Sequence, residues 1–214
     1  MEIPTLLRKA EHVALTRVSL SGSVLDLGGD KNSGYAHLLG EELHITTVNT
    51  DERASPDIFH DLEQSLPLAD ASYDHVLLIN VLEHIYNYRQ LLSEAARTVR
   101  SGGTVTIIVP FLFPLHPSPN DFWRFSAETL RRECGVIGLT VEELLPLGSG
   151  VFAARYVMID RLMPTPLRLI GAYTLAPLSH LLDVVFARLA SLLGKKYIYS
   201  DYALGYFVCA RKSL

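Results

Sequence analysis

This 214-residue chain is poor in cysteine, in tryptophan and in runs of one charge. Two cysteines, Cys134 and Cys209, are too few for a disulfide framework or a cysteine-based metal set, so a reducing, cytoplasmic setting is expected. No cluster of basic residues interleaved with aromatics occurs, and the formal charge is −4, so the electrostatic footprint of a nucleic-acid binder is missing. No stretch of about 20 residues is free of ionisable groups, which argues against a clean membrane-spanning helix. Met1-Glu2-Ile3-Pro4 lack the basic region and apolar run of a secretory signal. Internal repeats and low-complexity segments are absent. So is any grouping of His, Cys and Asp at metal-ligand spacing, and no metal is expected.

Hydrophobic residues make up 49% of the chain and charged residues 20%, which fits one globular domain over residues 1–214. Its organising stretch is Val24-Leu25-Asp26-Leu27-Gly28-Gly29-Asp30, an apolar run that ends in acids and glycines. A buried parallel strand delivers its chain to a ligand in this way, because ligands of open α/β sheets sit at the carboxyl ends of strands. Glycine lets the backbone turn there and approach a bound molecule. The spacing is not the Gly-x-Gly-x-x-Gly of dinucleotide sites, and Asp30 would set a carboxylate where phosphates should lie. A Tyr-x-x-x-Lys pair, needed by short-chain nicotinamide enzymes, is also missing. Asp26 and Asp30 suit a ligand that carries positive charge and no phosphate, and S-adenosylmethionine is such a ligand.

The periodicity predicts a helix over Leu6–Val18, strands over Val24–Leu27, Ile45–Asn49, Pro56–Asp61 and Asp74–Ile79, and a short helix over Tyr35–Leu39. A long helix is predicted over Leu82–Arg100, stopped by Gly102-Gly103, and then a fifth strand over Thr104–Val109. Strands alternating with helices imply right-handed βαβ units in a doubly wound, mostly parallel sheet. Phe111 to Phe125 mixes prolines with aromatics, which excludes helix but predicts an ordered, packed loop. Ser126 reads as the N-cap of a helix reaching Cys134. Leu139–Leu147 and Ala203–Arg211 read as closing strands, with an apolar helical insertion at 151–199 between them.

Acids and amides recur at the predicted strand ends. Asp26, Gly28 and Gly29 form the cofactor loop. Asn49 and Asp51 stand where a ribose hydroxyl pair would be read. Asp61 and Leu62 could hold an adenine amino group and one ring face, and Asn80 caps the fourth strand beneath the same ligand. Each alone could be a turn or cap residue, but four in register favour a binding role.

The series VLDLGGD, TVNTDE, DLEQSLPLADASYDHVLLINVLEHI and RTVRSGGTVTIIVP resembles the class I S-adenosylmethionine-dependent methyltransferases, particularly the type 11 group. The resemblance covers about residues 20–145, with Leu204–Val208 matching a final strand. It implies a Rossmann-like seven-stranded sheet whose last strand runs antiparallel. Asp30 and Asn32 stand where that family has glycines, and Asn49 aligns with its ribose acid. The segment HPSPNDFWRFS resembles a narrower branch that accompanies surface-polysaccharide or lipid-linked glycan synthesis, which implies a small-molecule, sugar or lipid-linked glycan hydroxyl as acceptor.

In that loop His116 is a candidate base, Asp121 its orienting partner, Arg124 a site for an anionic group and Trp123 a stacking face. The alternative is that Asp121 and Arg124 pair to lock the loop while His116 bonds a backbone carbonyl. His84 is a second candidate base. Methyl transfer from a sulfonium is in-line displacement, accelerated mainly by positioning, and a hydroxyl acceptor gains from a base such as histidine. A different function class also fits: a catalytically silent cofactor-binding protein acting through its insertion. In that insertion Leu178, Leu181, Leu182, Val185, Leu189, Leu192 and Leu193 form one helical stripe, with Pro177 ahead of it. The stripe is expected to be buried, against the Phe111–Phe125 loop or in a homodimer, rather than on a membrane surface, because its polar face is not strongly basic.

Overall fold

Apolar segments too rich in Val, Ile and Leu to face water on either side form the centre of a single sheet. The structure, a computed structural model, describes residues 5–31, 34–148, 150–195, 197 and 199–213. Its strands are β1 (Gly22–Leu27), β2 (Leu43–Asn49), β3 (Ile58–Phe59), β4 (Tyr73–Ile79), β5 (Val99–Pro110), β6 (Leu139–Leu147) and β7 (Gly205–Lys212). They lie in the order β3-β2-β1-β4-β5-β7-β6. Strands β1 to β5 run parallel, while β7 is antiparallel to both β5 and β6. The expected doubly wound, seven-stranded sheet with an antiparallel last strand is therefore present.

Side chains alternate across this sheet and feed two apolar layers. Leu25, Leu27, Val76, Leu78, Val105 and Ile107 pack on one face against α2 (Tyr88–Thr98) and α3 (Ala127–Val136). Val24, Leu77, Ile79, Ile108 and Phe207 pack on the other against α1 (Leu6–Leu15) and α4 (Val151–Asp160). Each such buried side chain contributes about 1.5–3 kcal/mol. Polar caps fix where the helices begin. The Thr5 hydroxyl accepts from the Arg8 N–H at 3.1 Å, and Ser126 accepts from Thr129 N–H at 3.3 Å as its position predicts.

The predicted Leu82–Arg100 helix is shorter than expected. Leu82–His84 form a 3-10 turn, α2 begins at Tyr88, and Val99 already pairs with Tyr73 as the start of β5. Gly102 and Gly103 therefore lie inside β5 and do not stop the helix. A Cβ on Gly103 would come 2.4 Å from the Asp74 carbonyl oxygen, so close strand approach requires glycine there. The third strand also shrinks to two residues, and Tyr35–Leu39 holds only a 3-10 turn at Ala36–Leu38.

Between β6 and β7 the chain folds as α4, α5 (Thr165–Tyr173) and α6 (Leu175–Leu192). Pro177 lies in the first turn of α6, where a missing N–H costs nothing, and does not separate two elements. Asp183 of α6 is fully buried and accepts from the N–H groups of Phe152 and Ala153 at 3.0 and 2.9 Å, pinning α6 to the start of α4. The leucine stripe does not pack on the Phe111–Phe125 loop. Only Ala176, Ser179 and Asp183 of α6 are buried, and Leu181 and Leu189 remain 56% and 53% exposed. By length and composition α6 could also cross a membrane, although it carries His180, Asp183 and Arg188.

Candidate active site

Every parallel strand brings its carboxyl end to one edge of the sheet, and the candidate residues gather there. At the end of β1, Asp26 is buried, and the Tyr35 hydroxyl donates to its Oδ2 at 2.5 Å. Its Oδ1 has no hydrogen-bond partner, and burial lifts the carboxyl to about 6. Gly28 has a left-handed φ of +81°, and a Cβ there would strike Val81 at 2.5 Å. Its need for glycine is thus set by the fold. At Gly29 an added Cβ would sit 2.4 Å from the Asp26 carboxyl carbon, so the close packing of the loop on that carboxylate requires glycine there.

Asn49, at the end of β2, binds this loop from the side. Its Nδ2 donates to the carbonyls of Gly28 and Gly29, both at 3.0 Å, and its Oδ1 accepts from Asp51 N–H at 3.0 Å. With both ends of the amide engaged, Asn49 shapes the cofactor loop and has little left for a ribose. Asp51 is half-exposed at the same edge and pairs with Arg53, which holds its carboxyl below the usual range. Asp61 accepts from Glu63 N–H at 2.9 Å and stays near the surface, with Leu62 buried behind it. Asn80, at the end of β4, has a φ of +50° and donates from Nδ2 to Oε1 of the buried Glu11 at 3.0 Å. Burial pushes the Glu11 carboxyl up.

Across β4 and β5 the proline- and aromatic-rich loop folds back over the turn at Leu82–His84. The N–H groups of Phe122 and Trp123 donate to the Glu83 carbonyl at 2.7 and 3.3 Å, and Trp123 Nε1 donates to the Ile85 carbonyl at 3.1 Å. Trp123 also meets Tyr88 edge to face, so it secures the loop from inside. Arg124 forms a two-pronged pair with Asp121 and donates to the carbonyls of Trp123 and Phe113. The loop-locking alternative is thus the arrangement present: Arg124 directs its Nη donors within the loop, and it holds the Asp121 carboxyl down at about 2. Asp121 in turn accepts from the His116 N–H at 2.9 Å and stands 3.2 Å from His116 Nδ1.

His116 and His84 converge on a residue that residue-by-residue reading passed over. Glu83 is fully buried, with both carboxylate oxygens lacking a hydrogen-bond partner among the described residues. Its Oε1 lies 3.6 Å from His116 Nε2 and 3.7 Å from His84 Nε2. The two imidazoles meet edge to face at 5.1 Å. The expectation that no metal-type grouping exists is corrected here, since one potential ligand atom from each of Glu83, His84 and His116 lies within 4.8 Å of the others. Residues 83 and 116 lie far apart in sequence, and only the loop's return brings them together.

Residues 26–107 match the methyltransferase domain family. A protein of Mycolicibacterium smegmatis described as "Probable S-adenosylmethionine-dependent methyltransferase" is 32% identical over 100 residues. The match covers 44% of this chain, and the chain spans 39% of that relative's length. Residues 26–107 are thus similar to the S-adenosylmethionine-dependent methyltransferases of the type 11 group. The fold agrees. The [4+2]-cyclase SpnF superposes with a TM-score of 0.64 at 14% identity, covering 97% of this chain and 81% of that one. Geranyl diphosphate C-methyltransferase of Streptomyces coelicolor A3(2) gives 0.61 at 13% identity, over 96% and 79% of the two chains. Phosphoethanolamine N-methyltransferase 2 of Haemonchus contortus gives 0.60 at 13% identity, over 95% and 52%.

S-adenosylmethionine, the cofactor named for the Mycolicibacterium smegmatis relative, would sit at this carboxyl edge, and the residues fit it. Asp26 offers an orphaned carboxylate oxygen in a dry setting, suited to a cation. Tyr35, Glu11 and Glu83 were the polar groups missed by sequence reasoning. Glu83 stood inside the Leu82-Glu83-His84 motif, but the motif reads as a helix start and gives no sign that its carboxylate is buried.

Proposed function

We propose that this protein is an S-adenosylmethionine-dependent methyltransferase that transfers a methyl group to a hydroxyl of a small-molecule, sugar or lipid-linked glycan acceptor. S-adenosylmethionine supplies a methyl carbon made electrophilic by its positive sulfur. Asp26 and the Gly28-Gly29 turn would hold its charged end, with Asp51, Asp61 and Leu62 flanking the nucleoside side. The acceptor hydroxyl would be oriented at the opposite end, over His84 and His116, where a proton can be taken from the attacking oxygen. The supporting observation is the return of the Phe111–Phe125 loop onto the β4 turn. It sets two imidazoles and a buried carboxylate together beside the turn after β4, which supports an acceptor site there.

Such a base contributes on the order of 10²–10⁴ in rate. Incubation with S-adenosylmethionine and fractionated glycan or glycolipid extracts should yield S-adenosylhomocysteine. His116→Ala should lower turnover by about 10²-fold or more, with S-adenosylhomocysteine affinity held within a few-fold. Full turnover in that variant would remove His116 from the reaction. Absence of product with every hydroxyl acceptor, in a protein that binds the cofactor, would favour a silent cofactor-binding role.

A further inference from the structure

Glu83, His84 and His116 pose an electrostatic problem that protein atoms do not solve. The His84 Nδ1 lies 2.6 Å from the Asn120 carbonyl oxygen, which can only accept, so the neutral ring carries its proton on Nδ1. The His116 Nδ1 is likewise placed between the Pro114 carbonyl and the Asp121 carboxylate, each at 3.2 Å. Both rings therefore turn the lone pair of Nε2 towards Glu83, whose two oxygens also offer only lone pairs. With both rings neutral, three acceptors face one point, and a positive charge there, whether a proton on one Nε2 or a bound cation, would offset their repulsion. The separations of 3.6 and 3.7 Å are too long for hydrogen bonds. They are close to the span of two ligands each about 2.0–2.1 Å from a shared metal ion. The Nδ1 contacts to carbonyl and carboxylate are the outer-shell partners that metal-bound histidines carry.

We propose that Glu83, His84 Nε2 and His116 Nε2 form a binding site for one first-row divalent cation of the zinc type. A two-histidine, one-carboxylate set leaves coordination positions open, where a bound cation would acidify an acceptor hydroxyl and so replace the free imidazole base proposed above. The site rests on the side chains alone and not on the acceptor proposed above, so its test uses metal without cofactor or acceptor. Metal-free protein is titrated with Co²⁺, followed by visible absorption, and with Zn²⁺ in competition. One equivalent should bind, giving a low-symmetry Co²⁺ spectrum that Zn²⁺ abolishes. Glu83→Gln and His116→Ala should each weaken binding at least tenfold, while His44→Ala, on an exposed surface position, should not. Saturating Zn²⁺ should raise the melting temperature of the parent and not of His116→Ala, which keeps the test valid if Glu83→Gln folds poorly. No binding, or binding unchanged in His116→Ala, overturns the site while leaving methyl transfer untouched.

A separate observation concerns α4 to α6. Helix α6 turns a narrow face of Ala176, Ser179 and Asp183 inward and exposes its leucines, the reverse of a helix on a soluble core. Residues 151–199 hold six Lys or Arg against two acids, net +4, which leaves −8 on the rest of a chain of charge −4. Both acids, Asp160 and Asp183, are buried, while Arg155, Arg161, Arg188 and Lys195 are exposed. Apolar side chains and unopposed cations on the same helical unit match an anionic lipid surface. We infer that this unit lies on anionic membrane, with α6 in the interface plane. The buried Asp183, tied to α4, fixes α6 to the protein body and opposes a spanning placement. The parent should float with phosphatidylcholine vesicles containing phosphatidylglycerol and not with phosphatidylcholine alone. Leu182→Asp with Leu189→Asp, and separately Arg188→Glu with Lys195→Glu, should abolish flotation. A protein that never floats but loses a dimer in light scattering on the leucine changes would overturn the inference in favour of a second copy.

Discussion

Asp26 shows at the scale of one residue how a binding edge is held against stability. In an unfolded chain an aspartate titrates near 3.9, whereas burial lifts this one to about 6. The folded state therefore holds the extra proton between those values, and stability declines as pH rises from about 4 to about 6 and stays lower above. Asp26→Asn removes that dependence. Relative to the parent, the variant should gain about 1–3 kcal/mol between pH 4 and pH 7, read from denaturant melts at each pH. Its affinity for S-adenosylhomocysteine should fall at least tenfold at pH 7.5. A parallel pH profile in both proteins would show that Asp26 is not the buried, strained acid described here. Asp26 was legible in the sequence because an acid at the end of an apolar run is conspicuous. The Arg124 lock was visible as an alternative, since residues 121 and 124 are close along the chain. The partner groups Tyr35, Glu11 and Glu83 were not, because burial of a lone polar side chain depends on contacts far away in sequence.

At the scale of elements, polar pins do what propensity does not. The Asp183 carboxylate caps the N–H groups of Phe152 and Ala153 in the first turn of α4 and also accepts from the Tyr197 hydroxyl at 3.0 Å. Asp183→Ala leaves buried donors without partners and should cost about 1–3 kcal/mol in an equilibrium melt. The exposed leucines behave oppositely. Leu182→Asp with Leu189→Asp should change stability by less than about 1 kcal/mol, because neither side chain is in the core. A loss of several kcal/mol would mean that the stripe is buried in solution. The strands and their parallel order followed from apolar runs and alternation. The long helix from Leu82 did not hold, because Leu82 and Ile85 match a helical stripe yet are buried by a turn. The insertion's helices were legible and its burial was not: periodicity identifies an apolar face but not what covers it.

At the scale of the molecule, the parallel strands of one sheet bring a glycine turn, two amides and a carboxylate to one edge. The returning loop sets a histidine–glutamate cluster beside them. The central claim is that the cofactor occupies this edge between the ends of β1, β2 and β4. Hydrogen–deuterium exchange with and without saturating S-adenosylhomocysteine reads that location directly. The arrangement predicts added protection over Asp26–Lys31, Asn49–Arg53 and Asn80–Ile85, with residues 165–192 unchanged. Protection confined to the insertion, or none at a concentration where calorimetry detects binding, would contradict the placement of the cofactor and the function built on it.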